Sequence, residues 1–233
     1  MITIRRSDER FLTQIGWLKS LHTFSFGEHQ DDNHMGFSDL RVINEDRIQG
    51  GTGFSTHGHR DMEIISYVLS GALEHKDSMG TAAVILPGEV QRMSAGTGVR
   101  HSEQNHLKDQ ETHFFQIWVL PEADNLKPGY AQKDFSKQLN EGDLFLALSK
   151  DGREGSITMN QDVDLYLAKP TKGTRIDLSL RPGRKGWLQL ASGQLSLNGQ
   201  TISSGDGVAI SDESQLWVEV EKNSHFLFFD LPA

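Results

Sequence analysis

The chain of 233 residues contains no cysteine. Disulfide scaffolds, thiolate metal sites, cysteine-ligated iron–sulfur clusters and cysteine nucleophiles are thereby excluded. Long apolar runs are missing too, so no segment offers the roughly 20 consecutive apolar residues of a membrane-spanning helix. The opening Met1-Ile2-Thr3-Ile4-Arg5-Arg6-Ser7-Asp8-Glu9-Arg10 lacks the apolar stretch of a secretory signal, and a cytoplasmic location is expected. Basic charge is in deficit: 23 Lys and Arg stand against 32 Asp and Glu, a net charge of −9 that opposes direct nucleic-acid binding. Helical heptads are absent as well. What the chain has in quantity is glycine, 23 residues, and histidine, 10 residues.

Short apolar or alternating segments bounded by Gly, Asn and Asp predict an all-β protein of sandwich or barrel type. Strands are expected at Leu40–Asn44, Glu63–Leu69, Ala72–His75, Thr81–Leu86, Val90–Met93 and His113–Leu120, with a turn at Asp77-Ser78-Met79-Gly80. A weak internal repeat is present. Tyr67–Gly71, Gly80 and Pro87-Gly88-Glu89-Val90 are answered by Leu188–Gly193, Gly199 and Ser204-Gly205-Asp206-Gly207-Val208. In each half an apolar strand ends at glycine, a hairpin turns at glycine, and a Gly–acid pair opens the next strand. Two tandem barrels are therefore expected, at residues 1–130 and 143–233. In the connector, residues 131–142, a short helix from Ala131 to Leu139 would set Ala131, Phe135 and Leu139 on one face. Two fused barrels can cover one another's exposed sheet, so a monomer is expected.

His57-Gly58-His59 precedes the strand that starts near Glu63, and His101-Ser102-Glu103 has the same spacing. In extended chain, residues i and i+2 project to one face. Two neighbouring strands can thus aim three imidazoles and a carboxylate into one barrel mouth, a donor set suited to first-row metals. Random placement of 10 His in this chain yields roughly 0.4 His-x-His pairs, so the pair alone is weak evidence. Its surroundings strengthen it: Gly51 stands six residues before His57, Glu63 four after His59, Gly98 three before His101 and Asn105 four after it. These spacings resemble the two cupin motifs. There are departures, since seven residues separate Glu63 from Gly71, Gly96 replaces a proline, and Val90 stands where the second motif opens with glycine.

A longer stretch is more specific. His22-Thr-Phe-Ser-Phe26, Met35-Gly-Phe37, Leu40–Asp46, Asp61-Met-Glu-Ile64, Glu74–Gly80 and Gln91–Gly98 together resemble the pirin family, continuously from about Gly16 to Leu120. That resemblance implies two cupin barrels, with iron or a similar metal in the first. The family's ligands map onto His57, His59, His101 and Glu103. Gly58 departs from the commoner proline between the two histidines without removing a ligand. The resemblance over the second half is weaker. There, the positions counted off from the repeat are Ser179, Arg181, Val218 and Val220, which form no such ligand set, and the second barrel is expected to be metal-free.

The family resemblance implies a dioxygenase that opens the heterocycle of flavonols such as quercetin with O2 and releases carbon monoxide. Glu103 would accept the substrate hydroxyl proton. The cofactor would be one divalent transition metal, Fe(II) first, with Mn, Ni, Co, Cu or Zn accepted by the same donors. The alternative is a metal- or redox-responsive regulator acting through a protein partner; a third option is a sugar isomerase or epimerase, active without O2. Elsewhere, Glu63 is expected to be structural or to support a ligand. His75 and His106 are expected on exposed turns or strand faces, and His22, His29 and His34 to be structural or exposed. Phe24, Phe26, Phe37, Phe54, Phe115 and Trp118 are expected mostly in the core, although they could roof an aromatic pocket. Arg181, Arg184 and Lys185 are expected on a solvated loop.

Overall fold

In the computed structural model, which describes residues 1–213 and 215–233, strands carry almost all the regular structure. The chain divides into two units. One comprises residues 11–136 with 159–161, the other residues 1–10, 137–158 and 162–233. No helix among the described residues is long and apolar enough to cross a membrane.

The first strand, β1 (Ile2–Arg5), belongs with the C-terminal unit, where the sequence had placed it in the N-terminal barrel. The reason is a long-range pairing that local pattern cannot show: Ile2 lies opposite Ile210 and Ile4 opposite Val208, and both isoleucines pack on the C-terminal core.

The N-terminal unit begins with β2 (Phe11–Ile15), β3 (Leu18–His22), β4 (Leu40–Ile48) and β5 (Gly53–His59). It continues through β6 (Glu63–Ser70), β7 (Leu73–Asp77), β8 (Ala82–Ile85) and β9 (Glu89–Ser94). Last come β10 (Val99–Asn105), β11 (Thr112–Val119) and β12 (Gly129–Asp134). Seven of them form a sheet in the order β12-β9-β6-β11-β4-β3-β2, and four form a second in the order β5-β10-β7-β8. Leu18, Ile48, Val68, Leu73, Ile85 and Phe114 make the apolar core between them. Residues 129–134, of which 131–134 were expected in a connector helix, pair instead with β9 as an edge strand. The helix α1 starts later, at Ser136–Glu141, and the Asp134 carboxylate accepts the Ser136 backbone N–H at 2.7 Å. Phe135 and Leu139 are buried, as the pattern required.

In the C-terminal unit, β13 (Phe145–Ser149), β14 (Ile157–Thr158), β15 (Asp164–Ala168) and β16 (Arg175–Leu178) precede β17 (Lys185–Leu197). Then follow β18 (Gln200–Ser203), β19 (Gly207–Ile210) and β20 (Leu216–Leu231). The internal repeat is visible at its glycines. Gly71 has φ +85° and Gly193 φ +96°. A Cβ at Gly71 would meet Thr112 Oγ1 at 2.5 Å, and one at Gly193 the Asn223 carbonyl oxygen at 2.3 Å. Both positions therefore let the chain bend hard against a neighbouring strand. At Gly193 the strand does not stop as expected; β17 bends and runs on to Leu197. Val218 and Val220, counted off from the repeat, lie in the apolar core.

The cluster Arg181, Arg184 and Lys185 is not a plain solvated loop. Arg184 is only 9% exposed, donates to Asp162 Oδ2 at 2.8 Å and pairs with Asp230, while Arg181 reaches Asp162 at 3.2 Å. The partners lie 19 to 46 residues away in sequence, so the charge run alone gave no sign of them.

Two outcomes are expected. Gly71→Ala lowers stability by more than about 1 kcal/mol, read from the urea midpoint, and by more than Gly80→Ala, where nothing lies within 4 Å of the added Cβ. His225 is pushed down to about 4, first by burial and then by the nearby Lys169 cation. Its stabilisation is complete above the ordinary histidine value of 6.5 and is lost as pH falls through about 4. His225→Gln is expected to flatten that acid limb by between about 1 and 3 kcal/mol in pH-dependent unfolding.

Candidate metal centre and substrate cavity

Strand β10 runs between β5 and β7, and its register brings the polar residues of three strands together. His101 lies opposite His57 on one side and Asp77 on the other, and Glu103 lies opposite His75. Alternation along each strand then turns these side chains to one face. A bulge between His101 and Glu103 sets Glu103 against Phe54 rather than Ser55.

His57, His59 and His101 offer ring nitrogens that lie within 4.8 Å of one another; His75, His101 and Glu103 form a second group of this kind. His57 Nε2 and His101 Nε2 are 3.0 Å apart. Protonation follows from the network. The Asp77 carboxyl is held below the ordinary carboxylate range: burial would raise it, but hydrogen bonds from His75 and from the Thr81 and Met79 backbone N–H groups outweigh that. His75 Nε2–H therefore donates to Asp77 Oδ2, at 3.0 Å, which leaves His75 Nδ1 as an acceptor. Into it point Gln91 Nε2–H at 3.5 Å and His101 Nδ1–H at 3.4 Å. His57 Nδ1–H donates to the Ser55 carbonyl at 2.8 Å. In this tautomer assignment both Nε2 atoms carry lone pairs and face each other at 3.0 Å, close enough to bind one cation together. The donor set fits a divalent metal.

Electrostatics agree. His101 is pushed down to about 3, by burial first and then by His57 and His75, against the pull of Asp77. His59 is pushed down to about 4 by burial, then by His101 and His57. Both rings are neutral at neutral pH, the form that ligates. Glu103, 2% exposed, accepts from Ser66 Oγ at 2.8 Å and from Gln116 Nε2 at 2.7 Å. Since Ser66 lies on β6 and Gln116 on β11, this carboxylate ties the two sheets across the barrel.

Beside the histidines opens a cavity of about 400 Å³, within the range of small-molecule sites. His57, His59 and Glu103 form one wall. Phe26, Phe54 and Trp118, residues for which core packing was the default, line it as well, whereas Phe24 and Phe115 are core. Trp118 stands edge-on to His59 at 5.0 Å and to Phe26 at 5.4 Å. A further wall is polar: Thr13, His22, Asn44 and Asp46. Burial raises the Asp46 carboxyl to about 7; the Ser20 hydrogen bond opposes this, and Glu103 and Glu45 add to it.

His75 corrects the sequence reading. It is fully buried and touches His101, where an exposed position was expected. The available signal was Leu73-x-His75-x-Asp77, whose alternation shares a face with His101. Ser66 and Gln116 had escaped notice, although each is a polar residue inside an otherwise apolar strand. Glu63 is structural: 1% exposed, it accepts from Ser94 Oγ at 2.9 Å and Asn160 Nδ2 at 3.1 Å. His106 is half-exposed against Glu74, and His34 pairs with Asp31.

Two β-barrel units, one with clustered imidazoles beside a cavity, define a double cupin with a candidate metal centre. The comparisons give its family. The pirin model matches residues 5–119, the quercetinase C-terminal cupin domain model matches residues 146–231, and the chain belongs to the pirin family. It is 44% identical to the quercetin 2,3-dioxygenase of Escherichia coli (strain K12) over 232 residues, covering 100% of this chain and 99% of that protein. It is 36% identical over 216 residues to a pirin-like protein of Caulobacter vibrioides, covering 92% of this chain and 93% of that one. The crystal structure of the Escherichia coli pirin YhhW in complex with nickel(II) superposes with a TM-score of 0.95 at 44% identity, covering 100% of this chain and 99% of that chain.

Calorimetric titration of chelator-stripped protein with Ni(II) is expected to give one tight site per chain. His57→Ala and His101→Ala should abolish it, His75→Ala should weaken it about 10- to 100-fold, and His106→Ala should leave it unchanged.

Proposed function

We infer that this chain is a metal-dependent dioxygenase that opens the heterocycle of flavonols such as quercetin with O2 and releases carbon monoxide. The observation that carries this is the cavity, which joins the histidine cluster to an aromatic wall; full-length similarity to a quercetin 2,3-dioxygenase supports it. His57, His59, His101 and Glu103 are assigned as the metal ligands. The metal, Fe(II) in the first place, supplies Lewis acidity toward a deprotonated enol and electron exchange with O2.

The residues of the chain do the rest. The planar substrate lies between Phe26, Phe54 and Trp118, which exclude water from the reacting face. One Glu103 oxygen accepts the proton of the hydroxyl that turns toward the histidines. Ser66 and Gln116 hold that carboxylate in place before and after the transfer. His75, through its bond to His101, fixes the ring whose Nε2 would help to hold the metal.

With quercetin and Fe(II)-, Ni(II)- or Mn(II)-loaded protein, O2 consumption and carbon monoxide release are expected in equal amounts. Glu103→Gln should lower kcat by about 100-fold or more while elemental analysis still finds bound metal. Unchanged turnover in that variant removes the proton-acceptor role. Absence of O2 uptake with every one of these metals removes the dioxygenase assignment.

A further inference from the structure

The rim of the cavity carries a charge that the protein does not answer. Residues 26–29 form a tight turn, closed by the Phe26 N–H to the His29 carbonyl at 3.1 Å and the His29 N–H to the Phe26 carbonyl at 3.0 Å. All four of its residues line the cavity. Both ends of the turn are anchored to the wall. Phe26 stands edge-on to Trp118, while His29 stacks on Phe11 at 5.4 Å and hydrogen-bonds Thr13 Oγ1 at 3.2 Å. Glu28, between these anchors, is exposed to solvent as well as lining the cavity, which places it at the opening. Its carboxylate makes no hydrogen bond or ion pair with the described residues.

Among the described residues no lysine or arginine lines this cavity, and its acidic residues are Glu28, Asp46 and Glu103. Asp46, raised to about 7 by burial, adds negative charge wherever it ionises. A divalent ion at the histidines would bring two positive charges, and ligating imidazoles are neutral. Glu103 and the deprotonated hydroxyl of the substrate together cancel those two charges. A further anionic group on the substrate then meets no positive partner and faces the Glu28 carboxylate instead. The Debye length is about 30 Å at 0.01 M salt, far more than the width of such a space, so this repulsion acts without direct contact. We propose that Glu28 determines the charge of the substrate: its uncompensated carboxylate at the rim of a cavity without lining cations admits neutral flavonols and turns away those that carry an anionic substituent. This rests on the flavonol assignment above. It adds a selection by charge, made at the opening by a residue outside the ligand set.

The test uses two 3-hydroxyflavones of nearly equal shape, one bearing a 4′-carboxamide and the other a 4′-carboxylate. Both are titrated anaerobically, by fluorescence, into Ni(II)-loaded protein at about 0.01 M salt. Wild-type protein is expected to bind the carboxamide at least about fivefold more tightly than the carboxylate. Glu28→Gln should cut that ratio about threefold and Glu28→Lys about tenfold, in both cases through tighter carboxylate binding, with carboxamide affinity held within about twofold. Raising the salt to about 0.5 M should bring the wild-type ratio down to that of Glu28→Gln. Glu111→Gln removes the same charge from a residue that does not line the cavity, and should leave the ratio within about 1.5-fold. A wild type that binds both probes equally at low salt overturns the proposal without recourse to any variant. So does a Glu28→Gln variant that keeps the wild-type ratio or shifts both probes alike, and so does a Glu111→Gln variant that moves the ratio as far as Glu28→Gln, since net charge alone would then explain it. If both probes bind but Glu28 has no effect on their ratio, only the charge selection falls. If neither binds, the flavonol assignment falls with it.

Discussion

Two imidazole Nε2 atoms held 3.0 Å apart are the constraint on which the site depends. It is imposed by the ladder in which β10 sets His101 directly opposite His57, and it is locked by hydrogen bonds on the far side of each ring. The backbone carbonyl of Ser55 orients one ring, and the buried His75–Asp77 pair orients the other. A metal taken up between these rings would therefore have its binding free energy coupled to the geometry of three adjacent strands.

Glu103 has a different task. Its carboxylate spans from the four-stranded sheet to Ser66 and Gln116 on the seven-stranded one, so it is at once a polar cross-brace and a group facing the cavity. Such a buried network fixes geometry only when every member is satisfied. Both Glu103 oxygens are satisfied, whereas Gln116, which donates to one of them, keeps its own buried Oε1 without a partner.

Much of the fold and of the site was legible in the sequence, for reasons that can be named. Turn glycines marked strand ends, and period-two spacing put His57 with His59 and His101 with Glu103 on shared faces. What could not be seen was whatever depends on partners far along the chain. The pairing of β1 with β19, the strand at residues 129–134 and the ion pairs of Arg184 all depend on such partners. His75 was misplaced for a related reason: a histidine in a charged Glu74-His75-Lys76-Asp77 run looks solvated, yet alternation sends His75 and Asp77 inward and Glu74 and Lys76 outward. Ser66, Gln116 and Asp46 were unremarkable as residue types. Their importance comes from burial, which composition does not report.

The pairing of Ile2–Arg5 with Gly207–Ile210 also bears on how the protein is made. The segment Ile2–Arg5 finds its partner only after roughly 200 further residues, which at ~5–20 residues per second is on the order of 10 to 40 seconds of translation. The N-terminal unit, whose strands all lie within residues 11–136, has every strand partner it needs long before then. During that interval β1 is a short, unpaired edge, and Arg5 at its end with Arg6 just beyond it are the kind of charge that keeps such an edge from joining the wrong sheet.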